Sequence, residues 1–339
     1  MNTFKQFSIF SAIVLILFSC TKNPFDTGDN EGGGRILFMR GRTKVMNEIC
    51  TMRPDGSDIR VIHHHNYSDD EYYPQGYIFA RWSPDKSKIV VEGGPGSTLE
   101  YWPLWLMDMQ GNLQYRLTWN GHIPIWTSDG KDVIYARRRG YFSDTYDIYK
   151  ININSMNEDT LIFAETGPPG TNSGYIYQLL DIIPDDNTKL ILNEYYTYRD
   201  TTGEQTSDDS EIIIYDILSN TKKYLTDNDL REGWARISPD GELIAYTTKN
   251  VGSIRYTNNL YLMSSKGDSI RQLTFGSKDV YLFFTWSPDG GKIACSKSDQ
   301  SEGYNPYRDI FIIDIQLGEM DRLTDTALDS IYNNVMDWK

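Results

Sequence analysis

A four-residue phrase recurs along this chain at nearly even spacing, and this spacing limits the folds that the chain can adopt. Each copy places a large apolar residue before a turn of the Ser-Pro-Asp type, and the copies begin at Trp82, Trp126, Ile182, Ile237, Trp286 and, as a final opening, Trp338. Successive copies begin 44 to 56 residues apart. This is the repeat length of four-stranded propeller blades rather than of helical repeats.

Each phrase is followed by the same order of short apolar runs. After Trp82 come a run at 88–91, a second run at 104–108 and a strand that ends in Leu117-Thr118. The runs are rich in β-branched and aromatic residues and are bounded by Gly, Pro, Asn and Asp, which is typical of strands. Each unit is therefore predicted to be one four-stranded antiparallel sheet of an all-β propeller.

The two ends of the chain predict how the ring closes. The N-terminal part supplies three strand-like runs, at 35–39, 48–52 and 60–62, and lacks the first strand of its unit. Residues 334–338 supply a strand that has no unit of its own. We therefore expect six blades, one of them assembled from both ends, and closure of the ring removes the exposed sheet edges that a missing strand would leave.

The tandem phrases, each followed by a strand like Leu260-Tyr261-Leu262-Met263 and by an end like Arg271-Gln272-Leu273-Thr274, resemble the PD40 (WD40-like) repeats of TolB-like six-bladed propellers. The resemblance covers nearly all of 35–339, although an Ile replaces the Trp at Ile182 and Ile237. The namesake of that family carries an additional α/β domain before its propeller, whereas a short linker precedes Arg35 here. The resemblance therefore implies the propeller but no role in the Tol–Pal system.

Residues 1–19 have the features of a bacterial lipoprotein signal peptide. Lys5 provides a positive start, an apolar stretch follows, and Leu17-Phe18-Ser19-Cys20 resembles a lipoprotein cleavage box. Cys20 is then the predicted lipidation site, residues 20–34 a flexible tether and residues 35–339 the propeller. Because Thr21 stands where an inner-membrane retention signal has Asp, the outer membrane is the preferred location. An ordinary signal peptide or membrane anchor is the alternative.

Composition limits the partners. The chain has 33 basic and 47 acidic residues and a net charge of −14, which disfavours nucleic acid and electrostatic adhesion to anionic lipid. We therefore expect the acyl chain to provide the attachment to the membrane, and a monomer that binds an envelope protein or glycan. Cys50 and Cys295 fall inside strand patterns, where two free buried thiols are favoured over a disulfide bridge.

Antiparallel blades separate short turns from long loops. One face carries the Ser-Pro-Asp turns, whose carboxylates are expected to be structural, and it is expected to be closed: Asp85, Asp129, Asp185, Asp240 and Asp289. The opposite, long-loop face is where a functional site is expected. Its aromatic and arginine residues suit protein partners, sugar rings or anionic groups, the alternative being that they pack the loops and pair with nearby carboxylates: Tyr73, Tyr101, Trp102, Arg137, Arg139, Tyr195, Arg255, Tyr256 and Tyr304.

Catalytic and metal-binding patterns are weak. His63, His65 and His122 are the metal-ligand candidates, but neighbouring residues of a strand point to opposite faces, so the His triplet alone cannot supply three ligands. The oligogalacturonate lyases, relatives with this propeller, bind a metal through histidines whose spacing is not matched here. The acidic groups at 69–71 and 208–211 could hold structural calcium but lack EF-hand spacing. No cofactor is therefore expected.

Catalytic motifs are weak, since the sequence contains neither G-x-S-x-G nor H-E-x-x-H. Ser83-Pro84-Asp85-Lys86 matches S-x-x-K, but it occupies the turn of the repeat, where other copies lack the Lys. The sequence therefore favours a lipid-anchored envelope scaffold that binds a protein or ligand through its long-loop face. The alternative is a glycan-active envelope enzyme, a lyase or a hydrolase, that uses carboxylates and histidines of the same face.

Overall fold

The structure is a computed structural model, and it describes residues 33–42, 47–65, 76–93, 102–139, 146–155, 160–164, 174–199, 205–206, 210–249 and 257–339. Its strands are β1 (Ile36–Gly41), β2 (Glu48–Met52), β3 (Arg60–His64), β4 (Tyr77–Trp82), β5 (Lys88–Gly93), β6 (Leu104–Asp108), β7 (Leu113–Thr118), β8 (His122–Trp126), β9 (Asp132–Arg138), β10 (Tyr146–Asn152), β11 (Thr160–Phe163), β12 (Gly174–Ile182), β13 (Lys189–Arg199), β14 (Gln205–Thr206), β15 (Ser210–Asp216), β16 (Thr221–Tyr224), β17 (Glu232–Ile237), β18 (Leu243–Lys249), β19 (Asn258–Ser264), β20 (Arg271–Gln272), β21 (Asp279–Trp286), β22 (Lys292–Asp299), β23 (Asp309–Asp314), β24 (Met320–Arg322) and β25 (Tyr332–Trp338).

These strands form six antiparallel sheets, as the repeat predicts. From the axis outward they are blade 1 (β25-β1-β2-β3), blade 2 (β4-β5-β6-β7), blade 3 (β8-β9-β10-β11), blade 4 (β12-β13-β15-β16, with β14 on β13), blade 5 (β17-β18-β19-β20) and blade 6 (β21-β22-β23-β24). The first strands contact one another in a closed circle, from β4 through β8, β12, β17, β21 and β25 back to β4. They are therefore the inner strands of a six-bladed propeller.

The C-terminal strand closes the ring, which confirms the prediction. Strand β25 pairs antiparallel with β1 from Ile36 opposite Trp338 to Gly41 opposite Tyr332. The backbone N–H of Arg35 donates to the carbonyl oxygen of Lys339 at 2.7 Å. Beside this pair, the Trp338 indole donates to the carbonyl oxygen of Gly33 at 2.6 Å, so the chain enters the domain at the short-turn face.

The Ser-Pro-Asp turns hold their shape through side-chain hydrogen bonds. The Ser83 hydroxyl donates to Asp85 at 2.6 Å and accepts the N–H of Lys88 at 3.0 Å. The hydrogen bond from Ser83 lowers the pKa of Asp85 to about 2. The same bonds recur in three further blades, at Thr127 with Asp129, Ser238 with Asp240 and Ser287 with Asp289.

Blade 4 departs from this pattern by one residue. Asp185 takes the left-handed conformation, with φ 59°, and Asp186 instead accepts the N–H of Thr188 at 3.2 Å. The repeat Asp therefore has the expected structural role in blades 2, 3, 5 and 6. In blade 4 the next residue, Asp186, takes this role. In the other blades, a Ser or Thr two residues before the repeat Asp donates a hydrogen bond to it. Ile183 occupies this position in blade 4 and has no hydroxyl group, so the hydrogen bond that holds the usual turn is absent.

The core lies between neighbouring blades. Ile36, Phe38 and Cys50 of blade 1, for example, pack with Ala294 and Ile310 of blade 6. Both cysteines of the described ranges, Cys50 and Cys295, are buried free thiols, and burial raises the pKa of each to about 12. Across the described residues, helix is confined to the 3₁₀ turn Ala327–Asp329. No helix among these residues has the length and hydropathy to cross a membrane.

Candidate functional site

Three aromatic rings meet on the axis of the ring of blades. Phe79 of blade 2 lies 6.0 Å from Trp234 of blade 5 and 5.9 Å from Phe283 of blade 6, and the last two rings are 5.1 Å apart, centroid to centroid. Blades 2 and 5 stand opposite each other in a ring of six, so rings that touch across this diameter close the channel. We call Phe79, Trp234 and Phe283 the aromatic plug.

The backbone that aims these side chains is strained. Trp234 and Phe283 have φ values of 39° and 46°, and Ile123 of blade 3 has 52°, which are rare conformations for bulky or β-branched residues. Each lies where its inner strand carries a bulge against the next strand, and a bulge redirects a side chain. Such strain typically costs about 1–3 kcal/mol per residue and collects at functional sites.

On the long-loop side of the plug, a second aromatic group gathers around His122. Its ring lies 5.0 Å from Trp102 and 5.6 Å from Tyr146, edge-on to the latter. The Nδ1 atom of His122 is 2.9 Å from Oε1 of Glu92, and the other oxygen of Glu92 accepts the N–H of Ile123 at 2.9 Å. We call Trp102, His122 and Tyr146 the His122 patch, and all three are half-buried.

Nε2 of His122 is buried and makes no hydrogen bond within the described part of the chain. Because Nδ1 faces a carboxylate, the tautomer with its proton on Nδ1 is favoured, and Nε2 then carries a lone pair. A His held by a buried carboxylate in this way can act as a general base or as a metal ligand.

Arg137 supports the loop beneath Trp102. Its Nη2 donates to the Tyr135 hydroxyl at 2.6 Å and to Oγ1 of Thr118 at 3.2 Å, and its Nε donates to the carbonyl oxygen of Asn120 at 3.4 Å. Asn120 in turn forms a β-bridge with Trp102. The sequence placed Trp102, Arg137 and His122 on one face, and the structure brings the three into one network.

The other predicted loop residues are more dispersed. Arg139 pairs with Asp147 at 2.7 Å, which offsets its charge as the alternative interpretation expects. Tyr195 is half-buried on β13, and Tyr304 is 77% exposed. Four predicted binding residues, together with the lipidation site, lie outside the described residues: Tyr73, Tyr101, Arg255, Tyr256 and Cys20.

His63 and His65 belong to a different interface, between blades 1 and 2. His63 donates through Nδ1 to the carbonyl oxygen of Gly111 at 2.6 Å, and its Nε2 accepts from the Tyr77 hydroxyl at 2.8 Å. Both ring nitrogens are thereby used, and burial lowers the pKa of His63. His65 lies edge-on to Tyr77. Within the described ranges, no three His, Cys, Asp or Glu residues are grouped to hold a metal, while the acidic segments 69–71 and 208–209 fall outside them.

The short-turn face is not closed, contrary to the expectation from its brief turns. A pocket of about 270 Å³ opens there at the end of the central channel, and the residue before each repeat Trp or Ile helps to line it: Arg81, Ile125, Asp181, Arg236, Thr285 and Asp337. We call it the channel-mouth pocket. Sequence reasoning missed it, although a charged residue directly before the repeat Trp or Ile in four of the six inner strands is a signal that could have found it.

No protein-family model matches this chain, and no curated protein matches it. Solved structures do. TolB from Acinetobacter baumannii is similar with a TM-score of 0.61 and 16% identity, over 90% of this chain and 66% of that one. A putative TolB from Agrobacterium tumefaciens gives 0.58 and 15%, over 90% and 99%. A chain of a nidogen/laminin complex gives 0.56 and 10%, over 90% and 97%.

These likenesses establish a TolB-like six-bladed propeller fold and carry no activity, since unrelated functions share such folds. This chain spans just under two thirds of the Acinetobacter TolB chain and nearly all of the Agrobacterium one.

Proposed function

We propose that this protein is a binding scaffold of the bacterial cell envelope that contacts a protein partner through its long-loop face. The His122 patch carries the proposal. Its three rings are half-buried, they share one surface, and the network of Glu92 and Arg137 fixes them in place. Rigid aromatic groups of this kind lose little conformational entropy on binding and dominate the binding energy of protein interfaces.

The envelope location is supported by two separate features. Residues 1–19 have the charge and apolar pattern of a lipoprotein signal peptide, with Cys20 as the acylated residue, and Thr21 favours the outer membrane. The fold is shared with two TolB structures, and the tandem phrases are PD40-like. Lipid on Cys20 supplies the attachment that a chain of net charge −14 does not obtain from anionic headgroups.

The proposal is tested by affinity capture from solubilised envelope with the full-length lipoprotein. We compare it with Trp102→Ala, which removes one ring of the His122 patch, and with Leu317→Ala as the control. Leu317 is 70% exposed on a short turn of the opposite face, so the control also removes exposed apolar area. We expect a partner that survives the Leu317 change and is weakened at least about tenfold by the Trp102 change. A partner that both variants retain equally would contradict the proposed surface.

A second candidate, a glycan-active enzyme, is favoured by one observation, the Glu92–His122 pair with Nε2 unbonded. In a lyase or hydrolase this imidazole would act as a general base, oriented by Glu92. The test is turnover of uronate-containing and neutral glycans by the unaltered protein and by His122→Gln. Turnover that His122→Gln abolishes, while glycan binding persists, would establish the enzyme. Binding of a partner without turnover of any glycan would favour the scaffold.

A further inference from the structure

Besides Lys339, the channel-mouth pocket is lined by four charged residues at the end of the ring that faces away from the long loops. They are Arg81 of blade 2, Asp181 of blade 4, Arg236 of blade 5 and Asp337 of blade 1. The two arginines come from opposite blades, and so do the two aspartates. Burying four charges together is costly unless each is compensated, so the partners of each group indicate what the pocket is built to hold.

The carboxylates already have structural partners. Asp337 accepts the backbone N–H of Trp82 at 3.0 Å and the N–H of Trp338 at 2.9 Å. Asp181 accepts the N–H of Ile237 at 3.2 Å. Each Asp therefore joins its own inner strand to the inner strand of the next blade. Its negative charge is stabilised by hydrogen bonds from fixed backbone N–H groups.

Arg81, by contrast, keeps unused donors. Arg81 is only 8% exposed, and its single ion pair in the described residues joins Nη1 to Oδ1 of Asp181 at 3.4 Å. Its Nε and Nη2 are buried and make no hydrogen bond there. These two nitrogens lie on one edge of the guanidinium, where their N–H groups form the fork that matches both oxygens of a carboxylate.

Arg236 adds a second positive charge to the same pocket. No carboxylate of the described residues lies within ion-pair distance, 4.0 Å, of its guanidinium. Burial, and after it the charge of Arg81, lowers the pKa of Arg236 to about 10. Arg81 has the carboxylate of Asp181 within 4.0 Å, whereas Arg236 has none of the described carboxylates that close, so an incoming anion would stabilise chiefly Arg236.

Most of the remaining lining is apolar, and Ser128, Asn187, Ser238 and Thr285 are its polar members. Indole rings of Trp82, Trp126 and Trp286 and side chains of Ile125 and Ile182 surround the charged groups, and the aromatic plug closes the channel beyond them. The volume of about 270 Å³ is at the lower end of small-molecule pockets, about 300–1,000 Å³. It suits one apolar group of modest size behind a charged head.

We propose that the channel-mouth pocket binds a monocarboxylate attached to an apolar group, with the carboxylate facing Arg236 and bonded to Nε and Nη2 of Arg81 once rotation of that guanidinium exposes these buried atoms. A monocarboxylate brings one negative charge to a pocket in which two Arg already face two Asp, whereas a phosphate dianion would bring two. The same chemistry is offered by a free aliphatic acid and by the C-terminal residue of a peptide. The pocket is independent of the long-loop face, so this site can exist whether or not the proposed function holds.

The test measures binding by the quenching of tryptophan fluorescence, since several pocket residues are Trp. N-acetyl-L-leucine is compared with N-acetyl-L-leucinamide, which has the same shape and no carboxylate. We expect the amide to bind at least about tenfold more weakly. Hexanoate and the tripeptide Gly-Gly-Leu then separate a free acid from a peptide C-terminus, and tighter binding of either one assigns the source. Equal binding of acid and amide, or no binding of either, overturns the proposal.

Arg81→Lys tests the fork itself, because Lys keeps the charge but cannot present two parallel N–H groups. The matched control is Arg231→Lys at an exposed position. We expect the first change to weaken N-acetyl-L-leucine at least about tenfold and the second to leave it unchanged. Inorganic phosphate serves as a probe of charge alone, and binding as tight as that of the acid contradicts a monocarboxylate site. If Arg81→Lys does not fold, the comparison of acid and amide on the unaltered protein still decides.

Discussion

At the scale of single residues, the indole nitrogen of the repeat Trp joins two of the blades, 3 and 6, to the blade before each. Trp126 donates to the carbonyl oxygen of Arg81 at 3.1 Å, and Trp286 donates to that of Arg236 at 3.0 Å. The indole nitrogen of Trp82 is buried and has no hydrogen-bond partner in the described residues. Ile182 and Ile237 cannot make this bond at all, so the two drifted copies of the repeat lack this tie between blades.

This difference allows a matched measurement. Trp126→Phe removes a ring portion and a hydrogen bond and leaves the Arg81 carbonyl without that donor, whereas Trp82→Phe removes a similar ring portion and no bond. We expect Trp126→Phe to lower the free energy of unfolding by about 1 kcal/mol more than Trp82→Phe does. Urea denaturation at neutral pH measures both. Equal losses would mean that the indole contributes by packing alone.

At the scale of elements, the Ser-Pro-Asp turn couples folding to pH. The carboxylates of Asp85, Asp129, Asp240 and Asp289 all have lowered pKa values, each chiefly through the hydroxyl two residues earlier. A carboxylate with a lower pKa in the folded state than in the unfolded state binds fewer protons when folded. Stability is then greatest above the unfolded pKa and falls as acid protonates these groups.

For Asp85 the interval is defined, because its pKa falls from an ordinary 3.8 to about 2. We expect its contribution to be complete above pH 4 and to be lost as the pH falls toward 2. Ser83→Ala removes the largest cause of the shift, so the urea midpoint of this variant should fall less steeply across the interval than that of the unaltered protein. Parallel pH profiles of the two proteins would contradict this assignment.

The elements also separate what could be predicted from sequence and what could not. Strand order was predictable because each unit repeats its apolar runs, and the closing role of 334–338 followed from a unit that lacked a strand. The bulges of the inner strands could not be predicted, since nothing in the sequence near Trp234 or Phe283 distinguishes these residues from ordinary strand residues. Their left-handed backbone is imposed by packing at the axis, and the slipped turn at Asp185 likewise depends on context.

At the scale of the whole molecule, the ring is closed by hydrogen bonds and packing, without a disulfide among the described residues. All seven residues of β25 are buried. Removing it would expose the edge of β1 and the apolar faces of blades 1, 2 and 6, which are features of aggregation-prone sheets.

A chain that ends at residue 331 is therefore expected to lose cooperative thermal unfolding and to aggregate. Deleting residues 1–32 instead should leave the unfolding transition intact, because Gly33 precedes the first strand. Calorimetry and size-exclusion chromatography of both deletions measure this difference. A soluble, cooperatively unfolding chain without β25 would show that the remaining five complete blades form a stable unit.

The candidate sites depend on contacts across blades, which limits their prediction. The sequence placed Trp102, Arg137 and His122 on one face because antiparallel blades sort their loops, but the buried partner Glu92 lies in another strand and carries no local signal. Likewise, Arg81 and Arg236 stand 155 positions apart in the sequence and face one pocket only because their blades are opposite in a ring of six.

The point at which the chain enters the propeller has a consequence for orientation. Gly33 lies beside Trp338 at the rim of the channel-mouth pocket, and it follows Cys20 by 13 residues. Fully extended, a tether of this length spans no more than about 45 Å. If Cys20 is acylated, the tether joins the lipid to the short-turn face, so the pocket lies on the side of the propeller that is attached to the bilayer and the His122 patch lies on the opposite side. The two ends of one channel would then sample separate populations of molecules.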